Sequence, residues 1–83
     1  MAVKVKIGEI YKYSSDFLPE VYTWDFDRIN NYWLGAYQHP QNSLILILDI
    51  FNVRNIEVPM LKVLIDGKVR YLDYAREVIL EKI

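Results

Sequence analysis

The stretch Met60–Tyr74 (MLKVLIDGKVRYLDY) constrains the fold more than any other, because two runs rich in Val, Leu, Ile and Tyr flank Asp66-Gly67. Asp-Gly between apolar runs predicts a β-hairpin, since Gly accepts a positive φ without steric cost. Two registers compete. A two-residue loop of Asp66 and Gly67 sets Leu64 opposite Val69 but leaves Lys62 on the same side, mixing the faces. A three-residue loop of Ile65, Asp66 and Gly67 pairs Val63 with Val69 and Leu61 with Tyr71, so one face is wholly apolar. Lys62, Lys68 and Arg70 then gather beside Leu64 on the opposite, wetter face. Register follows the cleaner burial pattern, so the three-residue loop is the expectation.

Upstream, Val3 to Tyr13 alternates, with Val3, Val5 and Ile7 on one side and Lys4 and Lys6 on the other, as a half-buried strand should. Gly8 interrupts it and predicts a bulge or bend, after which Ile10 and Lys12 share one face and Tyr11 and Tyr13 the other. Residues 14–42 form an insert carrying seven of the twelve aromatics. Within it VYTWDF alternates as a strand that places Tyr22, Trp24 and Phe26 together. Ile29, Tyr32, Trp33, Ala36 and Tyr37 follow at the i, i+3, i+4, i+7, i+8 spacing of a short amphipathic helix capped by Asp27. Ser43 to Arg54 (SLILILDIFNVR) is a long β run without polar alternation before Asp49, so both of its faces want cover. Asn52 to Pro59 then reads as a loop. The end, Asp73 to Ile83, reads either as a helix capped by Asp73 or as a turn at 74–77 and a closing strand at 78–83; β-branched Val78-Ile79 favours the second.

This order resembles the SH3-like small barrel. More narrowly, KIGEIYKY, LILILDI, LKVLIDGKVRYLDY and EVILEKI resemble the short barrel proteins encoded in tailed bacteriophage genomes. The resemblance covers about half the chain, and the long aromatic insert departs from it. It implies a mainly β chain: an SH3-like barrel of about five strands interrupted by the insert, of viral source and acting in the host cytoplasm. It carries no catalytic or ligand residues, because the pattern reports only the core.

Eighty-three residues make one domain, 1–83, with no room for a second core. Ten basic against eleven acidic residues give a net charge of −1, so no global field draws the chain toward phosphate backbones or anionic lipid. There is no cysteine, which removes disulfides, thiolate metal sites and cysteine nucleophiles. The first ten residues lack an apolar leader segment and no apolar run is long enough to span a bilayer, so the expected location is cytoplasmic.

The chain offers little catalytic chemistry. His39, the one histidine, precedes Pro40 in a turn-rich stretch and reads as a solvated loop residue. Asp25, Asp27 and Asn30 lack the glycine and spacing of a calcium loop. Together with Asp16 and Glu20, Asp25 and Asp27 read as a solvated acidic face. No metal ligand set, phosphate loop or nucleophile triad is expected, hence no cofactor and no enzyme.

Two functions remain. The first is a protein-interaction or assembly module, self-association included, using Tyr22, Trp24, Phe26, Trp33 and Tyr37 of the insert and Leu44, Leu46 and Leu48 of the doubly apolar strand. The alternative, less favoured by the charge, is a nucleic-acid-binding barrel using the basic hairpin face of Lys62, Lys68 and Arg70. For each aromatic taken singly, core filling is the favoured reading.

Overall fold

The computed structural model describes residues 4–75 and 78–83, and among these the chain is all β. Val3 of the first expected strand and residues 76–77 of the expected C-terminal turn lie outside the described residues. Seven strands, β1 (Ile10–Ser15), β2 (Val21–Asp27), β3 (Tyr32–His39), β4 (Ser43–Phe51), β5 (Met60–Ile65), β6 (Lys68–Asp73) and β7 (Val78–Lys82), form one antiparallel sheet in the order β3-β2-β6-β5-β4-β1-β7. The sheet curls into a half-barrel. Among the described residues its ends, β3 and β7, do not pair with each other, and β1 reaches β2 through a side chain: the Tyr13 hydroxyl donates to the Tyr22 carbonyl at 2.7 Å.

The concave face holds the main core. Tyr11 and Tyr13 of β1, Val21 of β2, Ile45 and Ile47 of β4, Leu61, Val63 and Ile65 of β5 and Leu72 of β6 pack there, joined by Val5 from the segment before β1. The parity expected of β1 holds: Tyr11 and Tyr13 are buried and Ile10 is exposed. The strand expected from Val3 starts only at Ile10: residues 4–9 form no strand, and Val5 is buried while Ile7 is 59% exposed, because Gly8, at φ +88°, lies in a turn and its amide donates to the Ile47 carbonyl.

Three further expectations are corrected. The hairpin has the two-residue loop: Ile65 pairs with Lys68, Leu64 with Val69 and Lys62 with Tyr71. Asp66 and Gly67 both have positive φ, 51° and 73°, the pair of conformations that a two-residue turn matched to the strand twist demands. Placing Arg70 on the core face opposite Val63 is tolerable because Asp25 pairs with it and Tyr37 covers it. Second, 29–37 is not a helix. Asp27 does begin one turn, its carboxylate accepting from the amides of Ile29 and Asn30 and its carbonyl from the amide of Asn31. Asn31 then enters the left-handed region at φ 65°, which ends the turn and sends the chain back as β3. The insert is thus a β-hairpin, and the strands number seven rather than about five. Third, His39 is no solvated loop residue: it closes β3 and is 8% exposed. The C-terminal strand, in contrast, is present as β7, antiparallel to β1.

A Cβ added at Gly67 would meet nothing within 4 Å, so any cost of filling that position is backbone strain alone. Gly67→Ala is expected to lower stability by about 1 kcal/mol, or about 4–8 °C in Tm, in thermal melts that keep the wild-type far-UV spectrum.

β7 is tied to the segment before β1 by the ion pair of Lys82 Nζ with Glu9 Oε2. Hydrogen bonding from Lys82, and then from the Tyr11 hydroxyl, holds the Glu9 carboxyl below its ordinary range, while the same pair raises Lys82. A carboxyl lowered on folding adds stability above its ordinary pKa and loses it as the pH falls through the lowered one; the raised ammonium adds stability below its ordinary pKa and loses it as the pH rises through the raised one. Glu9→Gln is therefore expected to be less stable than wild type at neutral pH and to converge with it in acid, as read from urea midpoints across the acid limb.

Candidate functional site

The convex face of the sheet is apolar in two places. At one end, Phe26, Val53 and Met60 form a second small core with Phe51, Ile56 and Tyr71, covered by the 52–59 loop. Rings run outward from it. Phe26 lies 4.9 Å from Trp33, Trp33 5.5 Å from Trp24 and Trp24 6.5 Å from Tyr22, measured between centroids. Phe26 is buried at the inner end, whereas Trp33 is 37% exposed at the outer margin. Arg28 caps the strip, its guanidinium 3.9 Å from the centre of the Phe51 ring and its Nη1 3.3 Å from Asp49.

Beyond that core the convex face carries an apolar row that is partly exposed among the described residues. Direct register aligns Ile10 with Leu46, Leu46 with Leu64, and Leu64 with Val69, an apolar row running across β1, β4, β5 and β6. Leu44 flanks it. Leu44, Ile10 and Val69 are 57%, 47% and 42% exposed, while Leu46 and Leu64 are half-buried. The row arises because β4 is apolar on both faces: Ile45 and Ile47 turn into the concave core, and Leu44 and Leu46 must turn out. Leu48 is the extra residue where the register shifts between Ile47 and Asp49, and it is half-buried. The neighbouring strand register sets Lys12 opposite Glu81 and Lys62 opposite Asp49, the latter carboxylate also pairing with Arg28, so both signs of charge border the row.

Of the aromatics singled out in the sequence, Tyr22, Trp24, Phe26 and Trp33 come together, and Tyr37 does not. It lies across the sheet, where its hydroxyl donates to Asp25 at 2.7 Å and its ring stacks under the Arg70 guanidinium at 3.9 Å. The bond to Asp25 pushes the Tyr37 hydroxyl above its ordinary range. Of the acidic residues, Asp25 is thus half-buried and paired with Arg70, and Asp27 is held below its ordinary range by the Asn30 side chain in its turn. The basic hairpin face is not formed: Lys62 shares the convex face with Tyr71, whereas Lys68 and Arg70 share the concave side with Ile65 and Val63. Ile10, Leu64 and Val69 escaped the sequence reading. Their exposure follows from strand parity, but their alignment depends on long-range register.

A hydroxyl, an imidazole and a carboxylate do meet on the concave side. Thr23 Oγ1 lies 2.7 Å from His39 Nε2, and His39 Nδ1 lies 3.5 Å from Asp66 Oδ2. The Thr23 hydroxyl and His39 Nε2 share a hydrogen bond whose donor is set by the imidazole tautomer. Thr23 is 0% exposed, so no substrate atom reaches that hydroxyl; the three groups clamp β2 and β3 to the hairpin tip. Among the described residues no three His, Cys, Asp or Glu side chains are grouped to hold a metal ion, and no helix is long and apolar enough to cross a membrane. Comparison with protein-family models, with curated proteins and with solved structures gives no significant match.

Proposed function

We propose that the chain is a small protein-interaction and assembly module, a variant of the SH3-like barrel, that works through the uncovered part of its convex face. The observation that carries this reading is the row Ile10–Leu46–Leu64–Val69 across four adjacent strands, in which Ile10, Val69 and the flanking Leu44 are exposed and Leu46 and Leu64 half-buried. Exposed apolar surface of this continuity is costly to hydrate and marks contact surfaces. The mixed signs of charge bordering it, Lys12 and Lys62 beside Glu81 and Asp49, make no single-sign field toward phosphate, which supports self-association over nucleic-acid binding. The separation of Lys62 from Lys68 and Arg70 removes the support for the basic-face alternative. No catalytic or cofactor role forms part of the proposal. A tailed-phage source, with assembly in the host cytoplasm, is the setting the resemblance implies.

The test is the mass of the purified chain by sedimentation over a wide concentration range, combined with nuclease-treated capture from a cytoplasmic lysate. A discrete multiple of the chain mass, or a protein captured despite nuclease, is expected. A monomer at every concentration that captures no protein would overturn the proposal.

A further inference from the structure

On the far side from the convex row, Ala36–His39 line an open groove of about 560 Å³, facing Asp66, Lys68 and Arg70 of the β5–β6 hairpin. Successive strand residues point to opposite faces. Four in sequence can border one groove only if it runs along the strand's edge. That edge is free, because among the described residues β3 pairs with β2 alone. A second opening, of about 420 Å³, continues from Gln38 and His39 past Pro40 beside Glu20, so the path extends beyond the strand end.

Sheet edges are usually guarded by charge, proline or a bulge. β7 is short and carries Glu81 and Lys82. β3 has no charged residue and no proline over eight residues. Its one irregularity lies in its first half, where Leu34 and Gly35 fall between the pairs Trp24–Ala36 and Phe26–Trp33. The half from Ala36 to His39 is regular, with four successive pairs to β2.

We infer that the Ala36–His39 edge accepts an extended segment of a partner protein as an added strand, and that this segment carries an acidic side chain where it passes Lys68. Backbone pairing supplies the affinity in such complexes, and flanking side chains supply the choice of segment. Arg70 is occupied by Asp25, and Asp66 lies at the hairpin tip 3.5 Å from the His39 imidazole; Lys68 is the cation of the groove wall with no ion-pair partner among the described residues. A second copy presenting its own β3 does not fit this wall, since YWLGAYQH holds no carboxylate. This surface is separate from the convex row, so the two readings stand or fall independently.

The experiment is selection of a displayed random dodecapeptide library on the full chain, followed by titration of the synthesised winners against wild type, Lys68→Glu and a Leu44→Asp/Val69→Asp variant. Acidic, β-prone winners are expected, weakened about tenfold or more by K68E, a loss of about 1.4 kcal/mol. Binding should be unchanged in the convex-face variant, and hydrogen exchange should slow at amides of 36–39. Enrichment no better than on an unrelated protein would overturn the inference. So would winners indifferent to K68E, or winners that protect β4 and β6 in place of β3.

Discussion

Leu61→Ala is expected to lower stability by about 2–5 kcal/mol, the range for a large apolar side chain deleted from a core that relaxes only partly. Leu61 is 0% exposed and lies in β5, between Ile50 of β4 and Leu72 of β6, near the middle of the curled sheet. All three side chains belong to the concave core, so the vacancy cannot be filled from solvent without wetting it. A chain of 83 residues has only about 4–12 kcal/mol of total stability, which makes this single change a large fraction of the whole. Thermal melts should show a drop of more than about 10 °C, whereas Leu34→Ala, at a position 58% exposed, should stay within about 0.5 kcal/mol of wild type. Equal effects of the two substitutions would mean that the core is not where the concave face places it.

Leu44→Asp combined with Val69→Asp is expected to abolish assembly while leaving the fold intact. Both side chains are already largely in water in the isolated chain, so exchanging them for carboxylates costs the monomer little. In an assembly the same positions lose their water, and an unpaired carboxylate buried there costs about 3 kcal/mol or more, over a hundredfold in the dissociation constant. The measurement is sedimentation beside a thermal melt. Monomeric variant with a wild-type melt is the expected pair of results; an assembly that survives both aspartates would remove the convex row as the contact surface.

The strand segments were legible where local chemistry decides them. β1 parity, the VYTWDF strand, the two-faced apolar β4 and the Asp-Gly turn all follow from alternation and turn residues. The hairpin register did not follow. A rule that keeps Arg70 off the core side could not know that Asp25 and Tyr37, far away in sequence, would cover it. The helical spacing of Ile29, Tyr32, Trp33, Ala36 and Tyr37 was real but outweighed, because Asn31 takes a left-handed conformation and β-prone aromatics follow it. Asn30-Asn31 after Asp27 was the signal that could have told against a helix. At the candidate site the aromatic strip was half legible: alternation grouped Tyr22, Trp24 and Phe26, while Trp33 joined them across the hairpin and Tyr37 went to the other face. The apolar row was not, since pairing Ile10 with Leu46 links parts of the chain that no local pattern connects.

The place of β1 in the sheet has a consequence for the chain as it is made. β1 precedes the other six strands, yet its two neighbours are β4 and β7, and Tyr11 pairs with Lys82, the last residue of β7. β2 with β3 and β5 with β6 can each close as hairpins while synthesis proceeds. β1 can pair with β4 once β4 has emerged, but its other edge stays open until β7 follows. Loops this long close slowly. Emergence of β7, rather than any local collapse, is therefore the step that completes the sheet.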